Sequence, residues 1–305
     1  MKKTYLIMAV AALTFAACSN ENDIVENAPV AAQVNAAISD LALTRAAGTA
    51  WDGGDQIGVS TVGDGAINYT NVPYTISDAS KGSFSSAVPI YFQDTKTVTF
   101  SAYYPYNADG GTVEKTIAAA DQEADAQKQI DYMFATGATA NKNNPTVSFT
   151  KDGDKDYSFH HKMVRLDFTF KKGADTDLKN MTDFTVGGLK LKGTFNTTTG
   201  EAKAADNVAA ADLKITETPT ASDTYSRSLI LFPQTVDGKS FNISLTLDGQ
   251  TYKATLTLPN GKAAFESGYK YVYTITVNKT ALSVQKAEIS DWSDGGSVDG
   301  DATMQ

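Results

Sequence analysis

Apolar side chains recur at every second position in one short run after another of this chain. That period builds sheets and leaves little room for helices. In the first run Val30, Ala32, Val34, Ala36 and Ile38 share one parity, while Gln33, Asn35 and Ser39 take the other. Leu41 and Leu43 then change parity, which predicts a bend or bulge near Ser39-Asp40. Val164, Leu166, Phe168 and Phe170 alternate in the same way with Arg165, Asp167 and Thr169. Further runs at 56–62, 88–91, 97–104, 146–150, 184–191, 228–232, 241–247, 251–258 and 269–277 are broken by Gly, Asn and Asp. Asp248-Gly249 reads as the tight turn of a hairpin. Ala118–Phe134 reads equally as a helix or a loop, and a helical turn is expected near Asp175–Met181. Strands recurring roughly every ten residues with so few helices predict an all-β chain of β-sandwiches.

At about 100–200 residues per domain, 305 residues suit two such sandwiches. The polar stretch Asn141–Pro145 through Lys151–Asp156 is the expected divide, giving one sandwich at 46–150 and another at 151–280. A net charge of −9, from 26 basic and 35 acidic residues, provides no basic face for nucleic acid. A single Cys excludes an internal disulfide and a cysteine zinc cluster, and only two His are present, adjacent at 160 and 161. No cofactor or metal is expected, nor catalysis.

The lone cysteine has a place of its own. Lys2 and Lys3 precede an apolar stretch from Tyr5 to Ala17, which is shorter than the ~20 residues a membrane-spanning helix needs. Ala16-Ala17-Cys18 then resembles a bacterial lipobox, with Phe15 where Leu is usual. On that reading residues 1–17 are a signal peptide and Cys18 carries the lipid. The alternative is an ordinary secretory signal with a free thiol. Acyl chains contribute about 0.8 kcal/mol of membrane affinity per buried methylene, so several of them anchor a protein without a spanning helix.

Other candidate sites meet plainer readings. Asp152-Gly153-Asp154-Lys155-Asp156 has the spacing of a calcium loop's first half, but Tyr157 and Met163 stand where Gly and Glu are required, so a solvated turn is expected. The Asp294–Asp301 cluster reads as an acidic tail, and no pair among the 35 acidic residues is singled out for glycoside hydrolysis. One of His160 and His161 is expected to satisfy a hydrogen bond at the domain junction. Tyr103, Tyr104 and Tyr106 are possible ligand aromatics for stacking on a sugar, set against a packed aromatic corner. Arg45 differs from all of these. The chain has three arginines, and Arg165 and Arg227 fall in or beside expected strands, where a protease cannot thread the backbone. Arg45 lies in a stretch of small residues before Trp51, so Arg45–Ala46 is the one good target for an Arg-specific protease.

Several segments together resemble the fimbrillin family, the type V pilin subunits of Gram-negative oral and gut anaerobes. They are Ala16-Ala17-Cys18, Thr44-Arg45-Ala46, Trp51–Val59, Ala102–Tyr106, Asp131–Ala135, Phe159–Leu166, Leu231–Gln234, Gly268–Tyr271 and Ile289–Trp292. The resemblance implies two transthyretin-like Greek-key β-sandwiches in tandem. It implies export as a lipoprotein to the outer membrane, with 18–45 as tether and removable N-terminal strand. Cleavage after Arg45 would open a groove, and a donor strand from another subunit would fill it, giving a head-to-tail polymer. The donor is expected in 281–305, on Leu282, Val284, Ala287, Ile289 and Trp292. Where donation ends is open, Gly295–Gln305 being polar enough for it to stop at Trp292. Loss of Lys2, Lys3 and Arg45 with Glu21, Asp23, Glu26 and Asp40 takes the net charge from −9 to −8. A stalk subunit in a surface fimbria serving adhesion is the expected function, with a tip or accessory place open beside it. The competing expectation is a surface lipoprotein that binds a glycan or host ligand without polymerising.

Overall fold

A computed structural model of the chain describes residues 28–39, 50–63, 67–279 and 281–292. The chain is all-β. In chain order the principal strands are β1 (Gln33–Ala36), β2 (Gln56–Val62), β3 (Val72–Asp78), β4 (Ser83–Ser85), β5 (Val98–Tyr104), β6 (Met133–Ala140), β7 (Thr146–Phe149) and β8 (His160–His161). They continue with β9 (Val164–Lys172), β10 (Met181–Leu189), β11 (Ala211–Thr216), β12 (Thr224–Leu231), β13 (Ser240–Leu247), β14 (Gln250–Thr257), β15 (Tyr269–Asn278) and β16 (Ala281–Asp291).

The first eight strands form one sheet in the order β7-β1-β4-β3-β2-β5-β6-β8. The turn at Asn141–Asn144 joins β6 directly to β7, so the sheet curls and brings its two ends near each other. Inside lies a cluster of buried residues around Trp51, Tyr74, Phe84, Phe100, Phe149 and Phe159. The last eight strands make two four-stranded sheets, β12-β9-β15-β16 and β11-β10-β13-β14. Their inner faces meet through rings. Phe168 of β9 is 5.9 Å from Phe184 of β10, and Tyr273 of β15 lies edge-on to Phe241 of β13 at 5.4 Å. Ring pairs in this range add about 0.5–1.5 kcal/mol beyond burial.

Two alternations read from sequence reappear as burial. Val164, Leu166, Phe168 and Phe170 are fully buried while the residues between them are half-buried. Ala32, Val34, Ala36 and Ile38 are buried at every second position. Asp248 and Gly249 take φ of 51° and 73°, the left-handed pair that a two-residue hairpin between β13 and β14 needs.

The stretch 118–134 departs from a continuous helix. Only Ala119–Gln122 and Ala124–Gln127 are helical, and β6 begins at Met133. Ile130, Tyr132 and Phe134 enter the second core cluster, whereas Met133 and Ala135 enter the first. A segment lying between two cores must alternate, and this overrides the helical spacing of Ile130, Met133 and Phe134. Further along, Phe159 packs into the first cluster and Met163 into the second. The halves are also stitched by a small sheet in which Thr112–Thr116 pairs with Lys192–Asn196, with Tyr132 stacked on Phe195 at 4.7 Å.

Candidate functional site

The N-terminal segment is seated inside the first sheet and not along its edge. β1 pairs parallel with β7, Val34 opposite Val147, and antiparallel with β4, Val34 opposite Phe84. Before it, Val30 and Ala31 pair with Phe92 and Tyr91 respectively, and after it Ile38 forms a parallel bridge to Phe159. Donors at Ala32, Gln33, Ala36, Ala37 and Ser39 meet the carbonyls of Ile90, Pro145, Gly82, Phe149 and Phe159 at 2.7–3.0 Å. Withdrawing this segment strips the hydrogen-bond partners from strands on both of its flanks. Buried backbone groups left unpaired are costly, so the vacated groove demands another strand.

Side chains complete the seat. Trp51 Nε1 donates to Ala36 O at 2.8 Å, and its ring stands edge-on to Phe84, Tyr104 and Phe159 at 5.1–5.5 Å. Gly82 holds φ of +62°, and a Cβ there would come within 2.1 Å of Ala36 O, so only glycine lets the segment approach β4 closely. Sequence reasoning found the seated segment but none of the residues that receive it. Trp51 was the legible signal: a tryptophan just after a run of small residues in an otherwise Trp-poor chain.

The other expected site residues fall as follows. Cys18, Arg45 and Ala46 lie outside the described residues. Arg165 and Arg227 sit within β9 and β12, the first bound to Asp167 at 2.7 Å, the second near Glu217 at 3.3 Å. Tyr103 and Tyr104 do not form a sugar platform. Both are buried, Tyr103 donating to Asn71 Oδ1 at 2.6 Å and Tyr104 to Asp55 Oδ1 at 3.1 Å. Burial, and then the Asp55 carboxylate, push the Tyr104 hydroxyl's pKa up. Tyr106 packs half-buried against the second core. A ring needs an open face to stack on a sugar, and the packed corner takes those of Tyr103 and Tyr104. Asp152–Asp156 forms an exposed two-stranded turn. Among the described residues no cluster of three or more His, Cys, Asp or Glu is placed to hold a metal, and no helix is long and apolar enough to cross a membrane.

The expected donor residues are docked on their own subunit. β16 pairs antiparallel along the whole of β15. Leu282 is fully buried, while Ala287 and Ile289 pack half-buried against the same core. The register slips once, because Thr274 faces Lys286 while Ile275 faces Val284, leaving Gln285 as a bulge. This bulge is the change of parity visible in the sequence between Val284 and Ala287. Trp292 closes the strand: its N donates to Gly268 O at 2.7 Å, and its ring stacks on His161 at 4.1 Å. His161 is the histidine that bonds at the junction, with Nδ1 2.8 Å from Asp131 Oδ1 and both side chains buried.

The opposite edge of that sheet is closed by side chains. Gln122 Nε2 donates to Ile230 O and its Oε1 accepts from Ile230 N, both at 2.9 Å, and Gln127 Nε2 donates to Ser228 O at 2.7 Å. The two amides act as a neighbouring strand would. Gln122→Ala orphans a buried N–H and C=O, so a loss of about 1–3 kcal/mol is expected in denaturant unfolding. Association through the opened edge should also appear on size exclusion. An unchanged midpoint and elution profile would show that the edge needs no cover.

Comparison with known proteins gives a consistent picture. A family model described as fimbrillin-like matches residues 44–292. A Bacteroides uniformis protein described as a candidate fimbrium subunit, Fim1C, is 30% identical over 331 aligned positions, covering 97% of each chain. The crystal structure of a candidate cell adhesion protein from Bacteroides ovatus superposes with a TM-score of 0.73 at 30% identity, over 87% of this chain and 98% of that one. A second, from Bacteroides uniformis, gives 0.65 at 27% identity, over 87% and 99%.

Proposed function

The chain belongs to the fimbrillin-like family, and from that premise we propose that it is exported as a lipoprotein and polymerised by strand replacement. Its role is structural and not enzymatic: a subunit of a cell-surface fimbria, associated with adhesion. Cys18 carries the lipid that holds the precursor at the outer membrane. An Arg-specific protease cuts after Arg45, and residues 1–45 leave with the anchor. A strand from the next subunit enters between β4 and β7. The contact is head-to-tail and does not close on itself, so it grows a filament. The tandem sandwiches supply a groove at one end and a donor at the other, which suits a stalk subunit.

One observation carries this reading. The segment upstream of Arg45 is an interior strand of its sheet, bonded on both flanks, and not a tail lying across the surface. A lipoprotein that only displayed a binding face would have no use for a detachable interior strand. The test is Arg45→Ala in the full precursor. With wild type, Arg-specific protease is expected to leave Ala46 as the first residue and yield SDS-resistant ladders. The variant should stay monomeric with its lipid. Normal ladders from Arg45→Ala would refute cleavage-triggered strand replacement.

A further inference from the structure

The outer face of the β11-β10-β13-β14 sheet carries a hollow that strand replacement does not use. We propose that this hollow binds a neutral glycan.

Register lines up its walls. Gly187 of β10 faces Asn242 of β13, which in turn faces Thr255 of β14, while Asp212 of β11 lies beside the bulge between Val186 and Leu189. The next row in the same phase runs Lys214, Thr185, Ser244, Lys253. Their neighbours Val186, Leu213, Ile243 and Leu245 are buried in the core, so both rows point away from it. The middle of the two rows is small, being Gly187, Thr185 and Ser244, and the longer Asp212, Asn242 and Lys253 stand around it. This leaves a hollow of about 430 Å³, within the ~300–1,000 Å³ of small-ligand sites. A Cβ at Gly187 would lie 2.8 Å from Asp212 Oδ1, so glycine keeps the floor open.

The polar groups of the hollow are largely unspent. Outside it, Asp183 is held by Lys214 at 3.3 Å and accepts from Thr246 Oγ1 at 3.1 Å. Inside it, Thr255 Oγ1 donates to Asn242 Oδ1 at 3.1 Å. Among the described residues, the Asp212 carboxylate, the Lys253 ammonium and the hydroxyls of Thr185 and Ser244 have no protein partner.

That inventory selects the ligand. One carboxylate and one ammonium cancel, so the hollow is neutral within a chain of net charge −9 and favours neither a basic nor an acidic ligand. One carboxylate is too few for a calcium ion. A protein partner would look for an apolar anchor, but among the described residues the exposed large apolar side chains, Val62, Val88 and Tyr91, all lie in the first half. A polyhydroxylated ligand fits, because its hydroxyls both donate and accept. Asp212 accepts, Lys253 and Asn242 Nδ2 donate, and Thr185 and Ser244 do either. Strands ~4.8 Å apart and alternate residues ~7 Å apart make these groups a grid on which a short oligosaccharide can lie. The hollow belongs to the second sandwich and the groove to the first, so binding requires neither cleavage nor polymerisation.

The test is an array of neutral, sialylated and sulfated oligosaccharides. It is probed with the full precursor, biotinylated and displayed on streptavidin so that avidity brings up weak binding. Neutral members are expected to bind. Asp212→Ala should lower that binding about tenfold or more, as loss of a hydrogen bond to a charged group implies. Gly187→Val should lower it too by filling the floor. Asp212 is exposed, so its variant is expected to keep the wild-type unfolding midpoint. Lys214→Ala, whose ammonium is already tied to Asp183, should bind as wild type does. Absence of neutral binding would overturn the proposal. So would binding confined to sialylated or sulfated members, or neutral binding that survives both substitutions in the hollow. The monomer is what binds here, so a failure of strand replacement would leave this result standing.

Discussion

A chain running from Ala46 to Trp292, with neither the N-terminal segment nor the tail, is expected to lose the cooperative unfolding of its first core. The lost interactions are specific. Val34 and Ile38 each take about 1.5–3 kcal/mol of burial with them. The carbonyls of Ile90, Pro145, Gly82, Phe149 and Phe159 lose their donors, and Phe159 N loses the Ala37 carbonyl. Groups that remain shielded from water cost about 1–3 kcal/mol each. A few such losses match the ~5–15 kcal/mol by which whole domains are stable. The second core takes Tyr103, Ile117, Ile130, Tyr132 and Phe134 from the first half but is built mainly from β9 to β16, which keep their own sheets, so calorimetry should show one transition retained and the other weakened or absent. Adding a peptide of residues 28–39 in trans should restore the missing transition. If the truncated chain melts as the precursor does, the segment is not a structural part of its sheet and the groove closes without it.

Trp51→Ala is expected to cost about 3–5 kcal/mol, the range for removing a large aromatic from a core. Trp51 is the hub of the seat, in contact with Phe84, Tyr104 and Phe159 while its Nε1 holds Ala36 O. Trp51→Phe separates the two roles. It keeps most of the packing and orphans the carbonyl, for an expected loss of about 1–3 kcal/mol. On the strand-replacement reading, the same indole holds the donor's main-chain carbonyl at the Ala36 position. Polymers of the Phe variant should therefore dissociate at lower temperature in SDS than wild type. Equal dissociation temperatures, with a destabilised monomer, would show that the incoming strand does not use this hydrogen bond.

Period and turn chemistry made much of the architecture legible. The alternation of 164–170 and of 30–38, the Asp248-Gly249 hairpin and the parity change between Val284 and Ala287 are local facts, and local backbone geometry enforces them. Val72, Tyr74 and Ile76 share one parity, as do Ala211, Leu213 and Ile215, so these two strands carry their own period-2 pattern; short and flanked by polar residues, they went unread. Thr112–Thr116 has one apolar residue, Val113, and it is a strand through its pairing with Lys192–Asn196. Ala118–Phe134 shows the same limit. Gln122 and Gln127 look like solvated helix residues until β12 presents an edge for their amides to cap.

By itself, the sequence determined that the chain is all-β and that residues 30–38 want one buried face. These follow from periodicity and composition, which each stretch carries within itself. The tertiary structure decided that 30–38 is an interior strand with partners on both sides, that Tyr103 and Tyr104 are core residues, and that 281–292 is already docked. Each of these depends on which distant strand lies alongside, and pairing across the sheet is settled by how side chains far apart in the chain fill one core.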